Sequence, residues 1–115
     1  MNGRKPPAIR GLSVSANRQI SDFERAHGLH PGMVARAFLH WGRRLPRRDL
    51  APNCACDSGD HVRTLLENAL RALRPQARRE FRRQLAPLDE RVLARTVNDP
   101  FAPRDLPWWK RRMRI

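Results

Sequence analysis

The chain has no tyrosine, and its 115 residues include only two cysteines and two lysines, Lys5 and Lys110. No stretch approaches the roughly 18 consecutive apolar residues that a membrane span requires, and the N-terminus has no apolar signal core, so the sequence predicts a cytoplasmic protein that does not engage a membrane. There is no glycine-rich phosphate loop and no paired acid–base set, which removes the usual starting points for an enzyme. Cys54 and Cys56 are separated by Ala55 alone. Structural zinc sites usually space paired cysteines by two to four residues, so the spacing argues against a metal even though His61 follows and His40, Asp57 or Asp60 would offer a fourth ligand. A disulfide between such near neighbours would be strained, and reduced loop thiols are the expected state. No cofactor is expected.

What the chain has in abundance is arginine. The net charge is +13 and the pI about 11.8. Arginine meets phosphate through a planar five-donor fork, and a charge of this size favours polyanion partners. By length the chain is one domain, able to bury roughly 65% of its unfolded surface.

Residues 1–14 read as a flexible basic arm. Ser15 or Asn17 then caps a first helix in which Ile20, Phe23 and His27 recur on one side. Gly28 can take the left-handed conformation that ends a helix, with Leu29 folding back onto it. Pro31 pushes His30 out of the helical region and suits a first helical position, so a second helix is expected from Pro31 to Leu45. At 100° per residue, Val34, Ala37, Phe38, Trp41 and Leu45 share one arc, whereas Arg36, His40 and Arg43 fall on the other. Pro46 stops this helix, leaving Arg47 and Arg48 in a loop within reach of a phosphate backbone.

Phe23, Gly28, Leu29, Val34 and Arg36 have a spacing that resembles helix-turn-helix DNA-binding modules, over about a fifth of the chain. The resemblance implies DNA docking by the second helix. Glu24 stands where that motif usually has a small residue, and Gly32 and Ala35 offer no side chains for base edges, so docking on phosphates is expected rather than sequence reading. An ordinary helical corner inside an all-α bundle is the alternative.

Residues 46–60 form a linker rich in Pro, Asp, Asn, Ser and Gly. Beyond it, Asp60 can cap a helix whose Val62, Leu65, Leu66, Ala69, Leu70 and Leu73 make a continuous apolar arc ending before Pro75. A second helix follows with Ala77, Phe81 and Leu85 inward and Arg78, Arg79, Arg82 and Arg83 around the rest. A third is expected from Pro87, with Asp89 and Glu90 in its first turn, to about Val97. Residues 98–115 are a proline-broken tail in which Trp108 and Trp109 are expected to dock onto protein, in a groove of the domain or of a partner. The run from Pro87 to Thr96, with Pro107-Trp108-Trp109 and the basic end, resembles small basic proteins of GC-rich actinobacteria to which no activity attaches.

The sequence therefore predicts an all-α domain over residues 15–97, with a helix-turn-helix-like unit (15–45) packed against a C-terminal helical hairpin or three-helix unit and an extended basic tail. Its expected function is DNA binding, as a transcriptional regulator would require, with DNA favoured over RNA. The contacts would be Arg36, His40, Arg43, Arg44, Arg47 and Arg48. The alternative is an accessory protein that binds an acidic protein or a ribonucleoprotein through Trp108, Trp109 and the Arg-rich helix.

Overall fold

Ser13 is where the chain first commits to helix. In a computed structural model that describes residues 8–41 and 59–114, the Ser13 side chain accepts a hydrogen bond from the Ala16 N–H at 3.1 Å and caps α1, Val14–Ala26. The start falls before Asn17 because Asn17 is occupied elsewhere. Its Oδ1 accepts from the Ile9 N–H at 3.1 Å and its Nδ2 donates back to the Ile9 carbonyl at 3.3 Å. Ile9 is buried with the core. The expected flexible arm is thus corrected for residues 8–14: Ile9 docks onto α1, Ser13 caps it and binds Glu80, and Val14 is its first residue; residues 1–7 lie outside the described residues.

Gly28 ends α1 as its freedom at positive φ allows. At φ +65 it donates to the Arg25 carbonyl at 3.3 Å, and Leu29 donates to the Glu24 carbonyl at 2.8 Å, the paired bonds of a Schellman turn. The second helix, α2, opens later than expected and runs Met33–His40, because Gly32 takes φ +88 and cannot belong to a right-handed helix begun at Pro31. Trp41 is extended, at φ −66 and ψ 132, so the helix also stops short of Leu45, which lies outside the described residues.

Helix α3 spans Gly59–Ala72 and buries Leu66, Ala69 and Leu70 along the arc read from its spacing, with Val62 and Leu65 packed at its margin. Since Gly59 already belongs to the helix, Asp60 is not its cap. The two expected helices at 75–86 and 87–97 are one, α4, Pro75–Arg95, with Pro87 inside it. An internal proline forfeits one backbone bond and costs about 3 kcal/mol. Here the helix is held on both sides of it: Phe81 and Leu85 before and Val92 after are fully buried.

The fold is all-α: among the described residues four α-helices gather around one core, with a two-stranded antiparallel ribbon. The tail is not extended. Arg112–Arg114, β2, pairs with Thr96–Asn98, β1, in the register Thr96 with Arg114, Val97 with Met113 and Asn98 with Arg112. Arg112 secures the return by donating to the carbonyls of Leu93 and Thr96 at 3.2 and 2.7 Å, which satisfies the open C-terminal end of α4.

Candidate nucleic-acid interface

Glu24 sets the position of α2. Its carboxylate is only 3% exposed and accepts from the Gly32 N–H at 3.1 Å and the Val34 N–H at 2.8 Å. Two donors at the helix start are thereby satisfied by a charge placed where the helix dipole favours it. The residue that breaks the small-residue pattern between the helices therefore joins them.

With its start held in this way, α2 directs Val34, Ala37 and Trp41 into the core, and Phe38 packs on Phe81 of α4 with ring centroids 6.1 Å apart. Ala35 is also buried. Arg36, Leu39 and His40 are exposed. The two-sided reading of this helix from sequence thus holds for Val34, Arg36, Ala37, Phe38, His40 and Trp41. Arg43, Arg44, Arg47 and Arg48 lie outside the described residues.

Behind α2 lies a buried ionic centre. Trp41 Nε1 donates to Asp89 Oδ1 at 2.7 Å, and Arg63 forks onto the same carboxylate with Nε to Oδ1 at 2.9 Å and Nη2 to Oδ2 at 3.0 Å. Arg63 Nη1 adds Glu67 at 3.0 Å. The guanidinium also lies 4.6 Å from the ring centroid of Trp109 and 5.9 Å from that of Trp108, within cation–π range. Trp109, expected to dock onto protein, is buried in its own domain, and its Nε1 donates to Thr64 Oγ1 at 3.0 Å. Trp108 is half-buried between Trp41 and Trp109.

The arginine run on α4 divides. Arg78 donates through Nη2 to the carbonyls of Arg71 and Leu73 at 3.1 and 3.0 Å and so closes the end of α3. Arg79, Arg82 and Arg83 are exposed. The intervening Glu80 is engaged by Ser13, accepting from its N–H at 2.8 Å and its hydroxyl at 3.2 Å. These bonds, the backbone one foremost, hold the Glu80 carboxyl below its ordinary pKa, with a smaller contribution from Arg83.

Sequence reasoning missed Arg63 and Asp89. Arg63 carried a signal: it stands three and seven residues before Leu66 and Leu70, in phase with the apolar arc of α3, where a charge must find a buried partner. Asp89 was masked by Pro87, which placed it in the exposed first turn of a separate helix. Among the described residues no group of three or more His, Cys, Asp and Glu side chains could hold a metal ion; Cys54 and Cys56 lie outside them. No helix among them is long and apolar enough to cross a membrane. Comparison of the chain with protein-family models, with curated proteins and with solved structures returned no match.

Proposed function

We propose that the chain is a small cytoplasmic nucleic-acid-binding protein of helix-turn-helix type, without catalytic activity, which holds a DNA backbone through the outward side of α2 and the basic run after it. One observation carries this reading: α2 is locked from behind by Glu24, Phe38 and Trp41 while Arg36 and His40 face solvent. Arg43, Arg44, Arg47 and Arg48 continue the charge along the chain. Gly32 and Ala35 are buried and offer no hydrogen-bonding side chains, so the contacts are with phosphates and the protein discriminates weakly between sequences. The six-residue link from His27 to Gly32, with two left-handed glycines, is longer than a tight turn and sets this unit apart from the standard motif.

If six to eight phosphates are neutralised, log affinity falls against log salt with a slope of about −5 to −7. The test is a duplex-binding titration of Arg36→Ala plus Arg43→Ala. Weaker binding with an unchanged helical signal and a slope less steep by about 2 is expected; unaltered affinity refutes the assigned face. The accessory-protein alternative would rest on Arg104, Lys110 and the Arg-rich helix, because Trp109 is engaged inside the chain. A protein partner retained after nuclease treatment would favour it.

A further inference from the structure

Helices α2 and α4 turn their inner sides towards each other, since Phe38 meets Phe81 and Trp41 reaches Asp89. Residues on the far sides of the two helices are therefore turned away from this shared contact, each on its own outer face. On α2 that outer side carries Arg36 and Leu39. On α4, at 100° per residue, the direction opposite Phe81, Leu85 and Val92 is taken by Arg79 and Arg83, with Arg82 beside them. All four arginines are exposed. The carboxylate nearest in sequence, Glu80, is engaged with Ser13, and the one acid on the outer side of α4 is Glu90, about two turns beyond Arg83.

We infer that the chain has two separate polyanion-binding faces and bridges two nucleic-acid duplexes, α2 holding one phosphate backbone and Arg79, Arg82 and Arg83 the other. The inference rests on the proposed α2 interface and adds a second contact and a second activity to it. Arg82 and Arg83 stand three and four residues after Arg79, so each is a surface neighbour of Arg79 with Cβ atoms about 5–6 Å away, and the three forks border one donor patch. The molecule's shortest extent is 22 Å. A Debye length is about 8 Å at physiological salt, so repulsion between backbones held on separate faces of a body this size is weakened by screening. Solubility alone asks for no such concentration of one sign on a second face.

The test uses the full chain, an immobilised duplex and a second, fluorescent duplex of unrelated sequence, with self-association measured at the same protein concentration. The wild-type protein is expected to capture the second duplex. Arg79→Gln, Arg82→Gln and Arg83→Gln together should lower capture at least about tenfold while leaving affinity for a single duplex within about threefold, because the α2 contacts are untouched. Glutamine keeps helix propensity and the positions are exposed, so the helical signal at neutral pH should not change. Equal capture by the triple variant overturns the second face, whether or not the protein self-associates. Single-duplex binding without capture by the wild-type protein overturns bridging alone, and absence of single-duplex binding removes the α2 reading with it. If the triple variant loses binding to a polyglutamate peptide but captures duplex normally, the face belongs to an acidic protein and the inference fails.

Discussion

The indole N–H of Trp41 donates to Asp89 Oδ1 at 2.7 Å across 48 positions of sequence. The bond ties the C-terminal end of α2 to the middle of α4, two residues after Pro87, where the long helix lacks a backbone bond. One contact thus serves both weak points. Trp41→Phe keeps most of the ring and removes the donor. Hydrogen bonds to charged groups contribute about 1.5–3 kcal/mol, and Arg63 still serves the same oxygen, so a loss of about 1.5 kcal/mol is expected in urea unfolding with an unchanged slope. A loss below about 0.5 kcal/mol would show the bond to be incidental.

Arg63 is 5% exposed and satisfied by Asp89, Glu67 and two indole faces. Removing one partner of a buried pair leaves an uncompensated charge and costs about 3–5 kcal/mol. Arg63→Leu and Asp89→Leu should each destabilise by that order, and the double variant by clearly less than their sum. Near-ultraviolet circular dichroism gives a second readout, because Trp108 and Trp109 lose their shared cation in Arg63→Leu. Additive losses would mean that the two residues act independently.

The parts of this fold that could be read from the sequence are those set by local rules. The arc of Leu66, Ala69 and Leu70, the left-handed Gly28 and the two-sided α2 follow from spacing and backbone sterics within a few residues. The errors arose where a tertiary contact overrode a local rule. Pro87 sits inside α4 because the core on either side outweighs its cost, and Ser13 rather than Ser15 or Asn17 caps α1 because Asn17 binds Ile9 and Glu80 binds Ser13. The tail closes through Arg112 and Trp109, whose partners Thr96 and Thr64 lie in earlier elements. At the proposed interface, Arg36 and His40 were legible as the polar side of a helix, whereas the ion pair that holds this helix from behind needed three distant segments at once.

Glu24 joins α1 to α2 through bonds to the N–H groups of Gly32 and Val34. Glu24→Ala leaves both donors buried without an acceptor and should cost about 2–3 kcal/mol. Glu24→Gln has one acceptor oxygen and no charge for the helix dipole, so it should fall between the two. Thermal unfolding orders the three proteins. The proposed interface adds a second expectation: Glu24→Gln, if still folded at the assay temperature, should bind duplex more weakly than wild type because α2 is less firmly placed. Tighter binding would show that the negative charge of Glu24 opposes the polyanion more than its bonds help.

Glu80 links acid stability to the docking of the N-terminal segment. Its carboxyl is held below the ordinary value of 4.5, first by the Ser13 N–H, then by the Ser13 hydroxyl, with Arg83 adding to them against a small desolvation. A group whose folded pKa is depressed stabilises the fold above its unfolded pKa, and that stabilisation disappears as pH falls through the lower, folded value. The urea midpoint should therefore hold above the ordinary glutamate range and decline below it. In Glu80→Gln this contribution to the acid slope should be absent, since glutamine still accepts one bond from Ser13 but does not titrate. The contrast should survive added salt, because the leading contacts are hydrogen bonds and only the Arg83 attraction is open to screening. An acid slope identical in the two proteins would show that the bonds to Ser13 do not persist in solution, and with them would go the polar tie between the start of α1 and α4, leaving their apolar packing to hold them together.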